Sequence, residues 1–186
     1  MLIPVVTGKR KDREECLHRG YYISVYLVQM EPFRYTIADY SIEEEQMTPS
    51  GHPAYTLYTC TRSVPIGSEH VEVTVMIEDP ESTPASREAF LAGMMNNHLN
   101  WIRENEAAIR THLATRMLEL ANDWRGDEDD PEFTVPLLEK RFSLYGMNVF
   151  DSGDFTLYFN DDDVFAGHDV GLDVSAAYEM DDDPSI

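Results

Sequence analysis

The stretch "FTLYFNDDDVFAGHDVGLDVS", residues 155–175, shows how the C-terminal part of the chain folds. Every second residue before the aspartates is apolar: Phe155, Leu157 and Phe159. The same period returns after them, at His168, Val170, Leu172 and Val174. A period of two is typical of a strand with one buried face. We therefore predict two strands joined by an aspartate-rich corner, with His168 pointing into the core where the second strand starts.

The corner carries the side chains that are candidates for metal binding or catalysis. An EF-hand is excluded, because a loop starting at Asp161 has Ala166 where the calcium loop needs glycine. A transition-metal site with Asp161, Asp163 and His168 as ligands stays open, although no H-x-x-x-H or H-E-x-x-H spacing supports it. We favour a structural corner over a metal site. Its residues are Phe159, Asp161, Asp163, Phe165, Gly167 and His168.

Strands are predicted over most of residues 1–80. The runs 21–30 and 54–61 are rich in aromatic and β-branched residues, as strands are. In the run 70–77 the alternating apolar residues predict one buried face: Val71, Val73, Val75 and Ile77. A turn at 64–69 would join the last two runs into a hairpin.

Residues 83–125 are predicted to be helical. Thr83 and Pro84 suit an N-cap and first turn, and apolar residues then recur at helical spacing up to Trp124. One helix over 86–124 would be about 58 Å long, against about 40 Å for a compact chain of this size. We therefore expect two long helices, with a break at 104–106 and Asn105 capping the second helix.

The chain after the helices is predicted to close the fold. An acidic loop at 126–132 leads to a short helix capped by Thr134, and residues 134–175 combine this helix with a hairpin turning at 151–154. The acidic tail, 176–186, is expected to fray. Together these elements predict a single α+β domain over residues 1–186, in which an antiparallel sheet is packed by the two helices.

The charge balance restricts the partners. The chain has 14 Lys and Arg against 35 Asp and Glu, a formal net charge of −21. Such a surface repels nucleic acid and anionic lipid and attracts a basic protein. Cys16 and Cys60 form no C-x-x-C pair, and no secretory signal or membrane-spanning run is evident. We expect a soluble, cytoplasmic protein without a cofactor.

The remaining residues do not complete a catalytic motif. His98 falls on the apolar helix face and is interpreted as a core residue, whereas His112 falls off that face and should be solvated. His52 and His70 lie where turns meet strands. No G-x-S-x-G, G-x-G-x-x-G or P-loop sequence occurs.

Two sequence patterns resemble a family. The motif F-x-L-x-F-x-D-x-D-x-F-x-G-H, from Phe155 to His168, and the helix-ending segment 122–124 resemble an uncharacterised bacterial domain of unknown function over about residues 86–175. The resemblance implies a small α+β domain with no activity or catalytic residues to transfer. Ala166 departs from the pattern, which commonly has a larger aromatic residue there, and this would loosen the corner.

These observations favour a non-enzymatic bacterial protein-binding or immunity-type module that occludes a basic partner. A metal-dependent enzyme using Asp161, Asp163 and His168 is the first alternative. The second is an inhibitor that mimics nucleic acid, which would require carboxylates in ordered rows.

Overall fold

The computed structural model describes residues 31–48, 54–78, 84–126 and 131–186. The strands of these residues form one six-stranded sheet. The strands lie side by side in chain order: β1 (Ser41–Met47), β2 (Tyr55–Ile66), β3 (Glu69–Ile77), β4 (Ser143–Val149), β5 (Phe155–Asn160) and β6 (Val170–Val174). A short 3-10 helix (Ile37–Asp39) precedes β1, and the other helices follow β3: α1 (Pro84–Phe90), a π-helical turn (Leu91–Met95), α2 (Asn96–Asp123) and α3 (Val135–Leu138). The predicted α+β class is consistent with this arrangement.

The sheet is mostly antiparallel. Neighbouring strands pair antiparallel except for β3 and β4, which are parallel. A parallel pair requires a long connection that returns the chain to the same end of the sheet, and the helical segment between β3 and β4 provides it. The prediction of a wholly antiparallel sheet is therefore wrong at this one contact.

The hairpin of β2 and β3 matches its prediction. Val71, Val73 and Val75 are fully buried, while Glu72 between them is exposed. Gly67 at the turn has φ of +59°, which favours glycine. Strand β1, which the sequence analysis missed, pairs with β2 at the edge of the sheet and exposes Glu43–Glu45.

The helical region contains one long helix, so the prediction of two long helices is wrong. Helix α2 continues through residues 104–106, and Asn105 caps nothing: its Nδ2 atom donates to the Trp101 carbonyl one turn earlier, at 2.8 Å. Ile102 and Ile109 are buried on either side of the expected break, so the packed face is continuous. No described helix has both the length and the hydropathy of a membrane-spanning segment.

The first turns of α2 hold a preceding segment of the chain. The Asn96 side chain accepts from the Tyr35 amide at 2.8 Å and donates to the Tyr35 carbonyl at 2.9 Å. Asn100 Oδ1 accepts from the Phe33 amide at 3.0 Å. Two asparagines four residues apart lie on one helix face and bind backbone groups of the segment that contains Phe33 and Tyr35.

The C-terminal tail is ordered along β6, so the prediction of a frayed tail is wrong. Gly171 and Ser185 exchange two backbone hydrogen bonds of 2.9 and 3.0 Å. His112, predicted to be solvated, donates from Nε2 to the Asp181 carbonyl at 2.7 Å. The tail pairs here because the backbone groups of an edge strand are otherwise unpaired.

Two kinds of prediction remain: an element that is present but differs in detail, and residues that lie outside the described ranges. Helix α3 has four residues, and Thr134 caps it through its carbonyl, not its side chain. The predicted strand at 21–30, Thr83 and His52 lie outside the described residues. Residues 32–186 form one compact unit, and the single domain over 1–186 stays a prediction.

Candidate functional site

The aspartate-rich corner between β5 and β6 is organised by Asp161. This carboxylate is 2% exposed, and it accepts the backbone N–H groups of Asp163, at 3.1 Å, and Phe165. Asn160 Oδ1 accepts the Asp162 amide in the same way, at 2.8 Å. These Asx turns support the positive φ of Asp162 and Asp163, and Ala166 and Gly167 later in the corner also have positive φ.

His168 does not point into the core, so that prediction is wrong. The residue is exposed and β6 begins only at Val170. Its ring stands edge-on to Trp124, with centroids 5.9 Å apart, and Phe165 contacts the same tryptophan at 5.7 Å. The positive φ of Gly167 turns the chain immediately before His168, so the period of two cannot be extended back to it.

The three candidate metal ligands do not converge. Asp161 is occupied by backbone amides, Asp163 is exposed on the corner, and His168 lies against Trp124. The neighbouring Asp162 forms an ion pair with Arg141. Across the described ranges, no group of three or more His, Cys, Asp or Glu side chains could hold a metal ion.

The small residue at 166 does not loosen the corner. Ala166 is exposed and has φ of +55°. The core side of the corner is instead filled by Phe165, which is fully buried. A larger aromatic at position 166 would lie on the surface, so the expected loss of packing does not occur.

One face of the corner forms a wall of a pocket of about 540 Å³, here called the tryptophan pocket. Its apolar lining comes from four segments: Trp124, Phe133, Leu137 and Val164. Trp124 is 41% exposed and Leu137 is 50% exposed, although both are large apolar side chains. Sequence reasoning missed this pocket. Leu137 could have suggested it, because it lies off the helix face that carries Leu138.

Hydrogen bonds between the Asn122 side chain and the Phe133 backbone fix one wall of the pocket. Asn122 Oδ1 accepts the Phe133 amide at 2.7 Å, and Asn122 Nδ2 donates to the Phe133 carbonyl at 3.2 Å. This pair of hydrogen bonds spans the acidic loop and fixes Phe133 beside the end of α2. In the segment 122–124, Asn122 thus positions a residue of the pocket lining, and Trp124 is itself part of that lining.

Three of the chain's basic residues line the tryptophan pocket: Arg125, Lys140 and Arg141. Arg125 donates to the Asn122 carbonyl at 3.1 Å and lies 3.9 Å from the Glu132 carboxylate. Arg141 pairs with Asp162. Lys140 is exposed and makes no hydrogen bond or ion pair with the part of the chain that the structure describes.

A second concavity has the opposite charge. It occupies about 680 Å³ where the β4–β5 turn meets the end of β6 and the following turn, and is here called the acidic cleft. Four carboxylates line it: Asp154, Asp173, Glu179 and Asp181. No Lys, Arg or His lines it among the described residues. Phe150, 39% exposed, adds an aromatic surface.

Two of the three hydroxyl groups that line the cleft donate to carboxylates, and the third, on Ser175, accepts the Glu179 amide. Thr156 Oγ1 donates to Asp173, and Ser152 Oγ donates to Asp154 at 2.9 Å. Asp154 also accepts the Ala176 amide at 2.8 Å, which ties the two turns together. A nucleophilic hydroxyl needs a base beside it, whereas these hydroxyls donate to structural carboxylates.

His98 lies on the apolar face of α2, as predicted, and supports the residues of the cleft from the core. Its ring is tilted by 38° against that of Phe155 with centroids 4.7 Å apart, and its Nδ1 is 3.2 Å from the Tyr178 hydroxyl. Nε2 is buried without a hydrogen-bond partner of normal geometry in the described part of the chain. Burial lowers the pKa of His98 to about 4, and the Gly153 carbonyl opposes this effect.

Residues 56–183 match the model of a family described as an uncharacterised protein conserved in bacteria, DUF2262. The chain belongs to this family. The match confirms the predicted kind of family and extends it towards the N-terminus, so that the DUF2262 region includes β2 except its first residue, β3, the tryptophan pocket and the acidic cleft. Strand β1 precedes it. No curated protein and no solved structure matches the chain.

Proposed function

We propose that this DUF2262 protein is a non-enzymatic binding module that occludes a basic protein partner in the cytoplasm, in the manner of an immunity protein. The observation that supports the proposal is the acidic cleft, a concavity of about 680 Å³ lined by four carboxylates and, within the described residues, by no basic side chain. A cation entering the cleft would neutralise charges that now repel one another.

The cleft suits an arginine or lysine side chain of a folded partner. Carboxylates bind guanidinium and ammonium groups through charge-assisted hydrogen bonds, and Phe150 offers a face for cation–π contact. Glu179 is exposed, and its carboxylate has no bond with another described side chain, so it is available to a partner. The net charge of −21 would steer such a partner towards the surface from a distance.

The metal-dependent alternative gains no support from the contacts. Asp161 already binds two amides, and among the described residues no three His, Cys, Asp or Glu side chains are grouped so that they could hold a metal ion. The nucleic-acid mimic gains none either, because the carboxylates of the cleft converge on a concavity and do not form rows.

The experiment compares two variants with equal loss of charge. The double variant Asp173→Asn/Glu179→Gln removes two charges from the cleft, and Glu43→Gln/Glu45→Gln removes two from exposed positions on β1, at the opposite edge of the sheet. Binding of a labelled tetra-arginine amide is measured by fluorescence anisotropy at physiological salt. We expect the cleft variant to bind about tenfold more weakly, since each exposed ion pair contributes up to about 1 kcal/mol.

The β1 variant should bind the peptide as the wild type does. Equal weakening of the two variants would mean that only the overall charge attracts the peptide, and this would refute the cleft as the binding site. Tetra-citrulline amide, which keeps the shape of the probe without its charge, should not bind.

A further inference from the structure

We propose that the tryptophan pocket binds a small organic anion with an apolar body. The proposal concerns a different concavity from the acidic cleft, and a ligand of opposite charge. Its volume of about 540 Å³ lies within the range of about 300–1,000 Å³ that small-molecule sites occupy.

The apolar body of the ligand would rest on the pocket's exposed apolar side chains. Trp124 and Leu137 are 41% and 50% exposed, and both face a concavity that Phe133 and Val164 also line. Apolar surface that a protein leaves exposed in a concavity costs free energy, and a ligand that covers it recovers about 25 cal/mol per Å². The aromatic ring of Trp124 would favour a flat partner.

The charge of the ligand follows from the basic residues at this site. The pocket is lined by Arg125, Lys140 and Arg141 but by two acidic residues, Glu132 and Asp163, on a chain whose acidic residues outnumber its basic ones 35 to 14. Lys140 has no hydrogen bond or ion pair with the described residues. Its ammonium group could therefore receive an anion without breaking a described contact.

The backbone of the corner supports a binding role for this wall. Asp162, Asp163 and Ala166 all have φ between +51° and +64°, a region that costs non-glycine residues about 1 kcal/mol or more each. These residues of unfavourable φ belong to the segment that places Asp163 and Val164 in the lining of the pocket. The hydrogen bonds between Asn122 and Phe133 hold the opposite wall in place. Both walls are therefore formed before a ligand arrives, which reduces the entropy lost on binding.

The experiment titrates the full chain with anilinonaphthalene sulfonate, a fluorescent apolar anion, and with phenylnaphthylamine, which has the same rings but no charge. Lys140→Gln removes the cation, and Leu137→Ser removes part of the apolar lining. Lys140→Gln should weaken binding of the sulfonate about three- to fivefold and leave the uncharged probe within about twofold of wild type. Leu137→Ser should weaken both probes.

Two control variants carry the same kinds of change elsewhere. Arg116→Gln removes an exposed cation from α2, and Ile42→Ser removes a side chain that is 40% exposed on β1. Both should bind the two probes as wild type does. The proposal is overturned if wild type does not enhance the fluorescence of the sulfonate, if Lys140→Gln and Leu137→Ser bind as wild type, or if the controls lose as much affinity. Circular dichroism spectra establish that each variant is folded.

Discussion

At the scale of single residues, the role of each ionisable side chain depends on where its polar atoms find partners. Asp161 is buried and accepts backbone amides, so it organises a turn. His168 is exposed and its ring contacts Trp124, so it belongs to the surface of the corner. His98 is 2% exposed and contacts Phe155 and Tyr178, so it belongs to the core. The apolar spacing already predicted His98 as a core residue, whereas Asp161 and His168 were both candidate ligands and only their surroundings separate them.

The burial of His98 predicts that acid weakens the fold. Burial lowers the pKa of His98 from 6.5 to about 4, so the unfolded chain binds a proton at a higher pH than the folded chain. The contribution of His98 to stability is therefore complete above pH 6.5 and is lost as the pH falls towards 4. We expect the free energy of unfolding to fall by about 2 kcal/mol from this residue between roughly pH 7 and pH 5.

Urea unfolding of wild type and His98→Gln at several pH values tests this prediction. The variant has no titrating ring, so its stability should fall less steeply over the interval. Tyr178→Phe removes the hydroxyl that contacts His98 but leaves the His98 ring buried. The stability of this variant should therefore fall with pH as steeply as that of wild type. Equal slopes for wild type and His98→Gln would show that other groups cause the acid sensitivity.

At the scale of elements, the main correction concerns helix α2. The expected break at 104–106 came from the average size of a compact chain, which limits the mean dimensions of a fold but not the length of one helix. Glutamate is a good helix former, and asparagine in a helix interior costs only a few tenths of a kcal/mol. Buried residues on both sides, Ile102 and Ile109, keep the helix on the core. Burial therefore outweighs the weak local tendency to break.

The two interpretations of Asn105 predict opposite effects of Asn105→Ala. In a continuous helix, alanine should stabilise the protein by a few tenths of a kcal/mol. An N-cap at this position would make the same change destabilising by about 1 kcal/mol. Thermal unfolding of the variant decides between them.

Asn96→Ala provides the matched comparison within the same helix. Asn96 is 9% exposed and hydrogen-bonds to both backbone groups of Tyr35. Its loss leaves these groups without partners, and we expect destabilisation of about 1–3 kcal/mol. A loss of stability in Asn105→Ala as large as that in Asn96→Ala would contradict the continuous helix.

At the scale of the whole molecule, opposite charges are separated into two concavities. The acidic cleft lies where the β4–β5 turn meets the end of β6, and the tryptophan pocket lies between the end of α2, α3 and the corner. The acidic cleft concentrates the negative charge of a chain whose net charge is −21. The tryptophan pocket is an exception on this chain, because three basic residues line it.

The net charge also predicts how salt affects stability. Repulsion among 35 acidic residues opposes the compact state, and salt screens this repulsion. We expect the melting temperature to rise by several degrees when sodium chloride is increased from about 20 to about 200 mM. The triple variant Glu43→Gln/Glu44→Gln/Glu45→Gln removes three adjacent exposed charges from β1 and should show a smaller rise. A melting temperature that falls with salt in wild type would instead indicate that ion pairs dominate.

Local periodicity and composition determined most of the elements. The alternation in 70–77 identified β3 and its buried face, the alternation around the aspartates identified β5 and β6, and the apolar spacing identified the helical region and the position of His98. These predictions succeed because the period of a strand or helix is set by the backbone within a few residues. The charge likewise follows from composition, although the basic partner that it suggests stays a prediction.

Only the tertiary structure decided where the ends of these elements meet. The parallel pairing of β3 with β4, the tail along β6 and the turn that exposes His168 each depend on contacts between residues far apart in the chain or on the φ of single residues. The tryptophan pocket combines residues from 124 to 164, and the acidic cleft combines residues from 150 to 181. Neither has a periodic pattern in the sequence, because a concavity forms only after the elements have packed against one another.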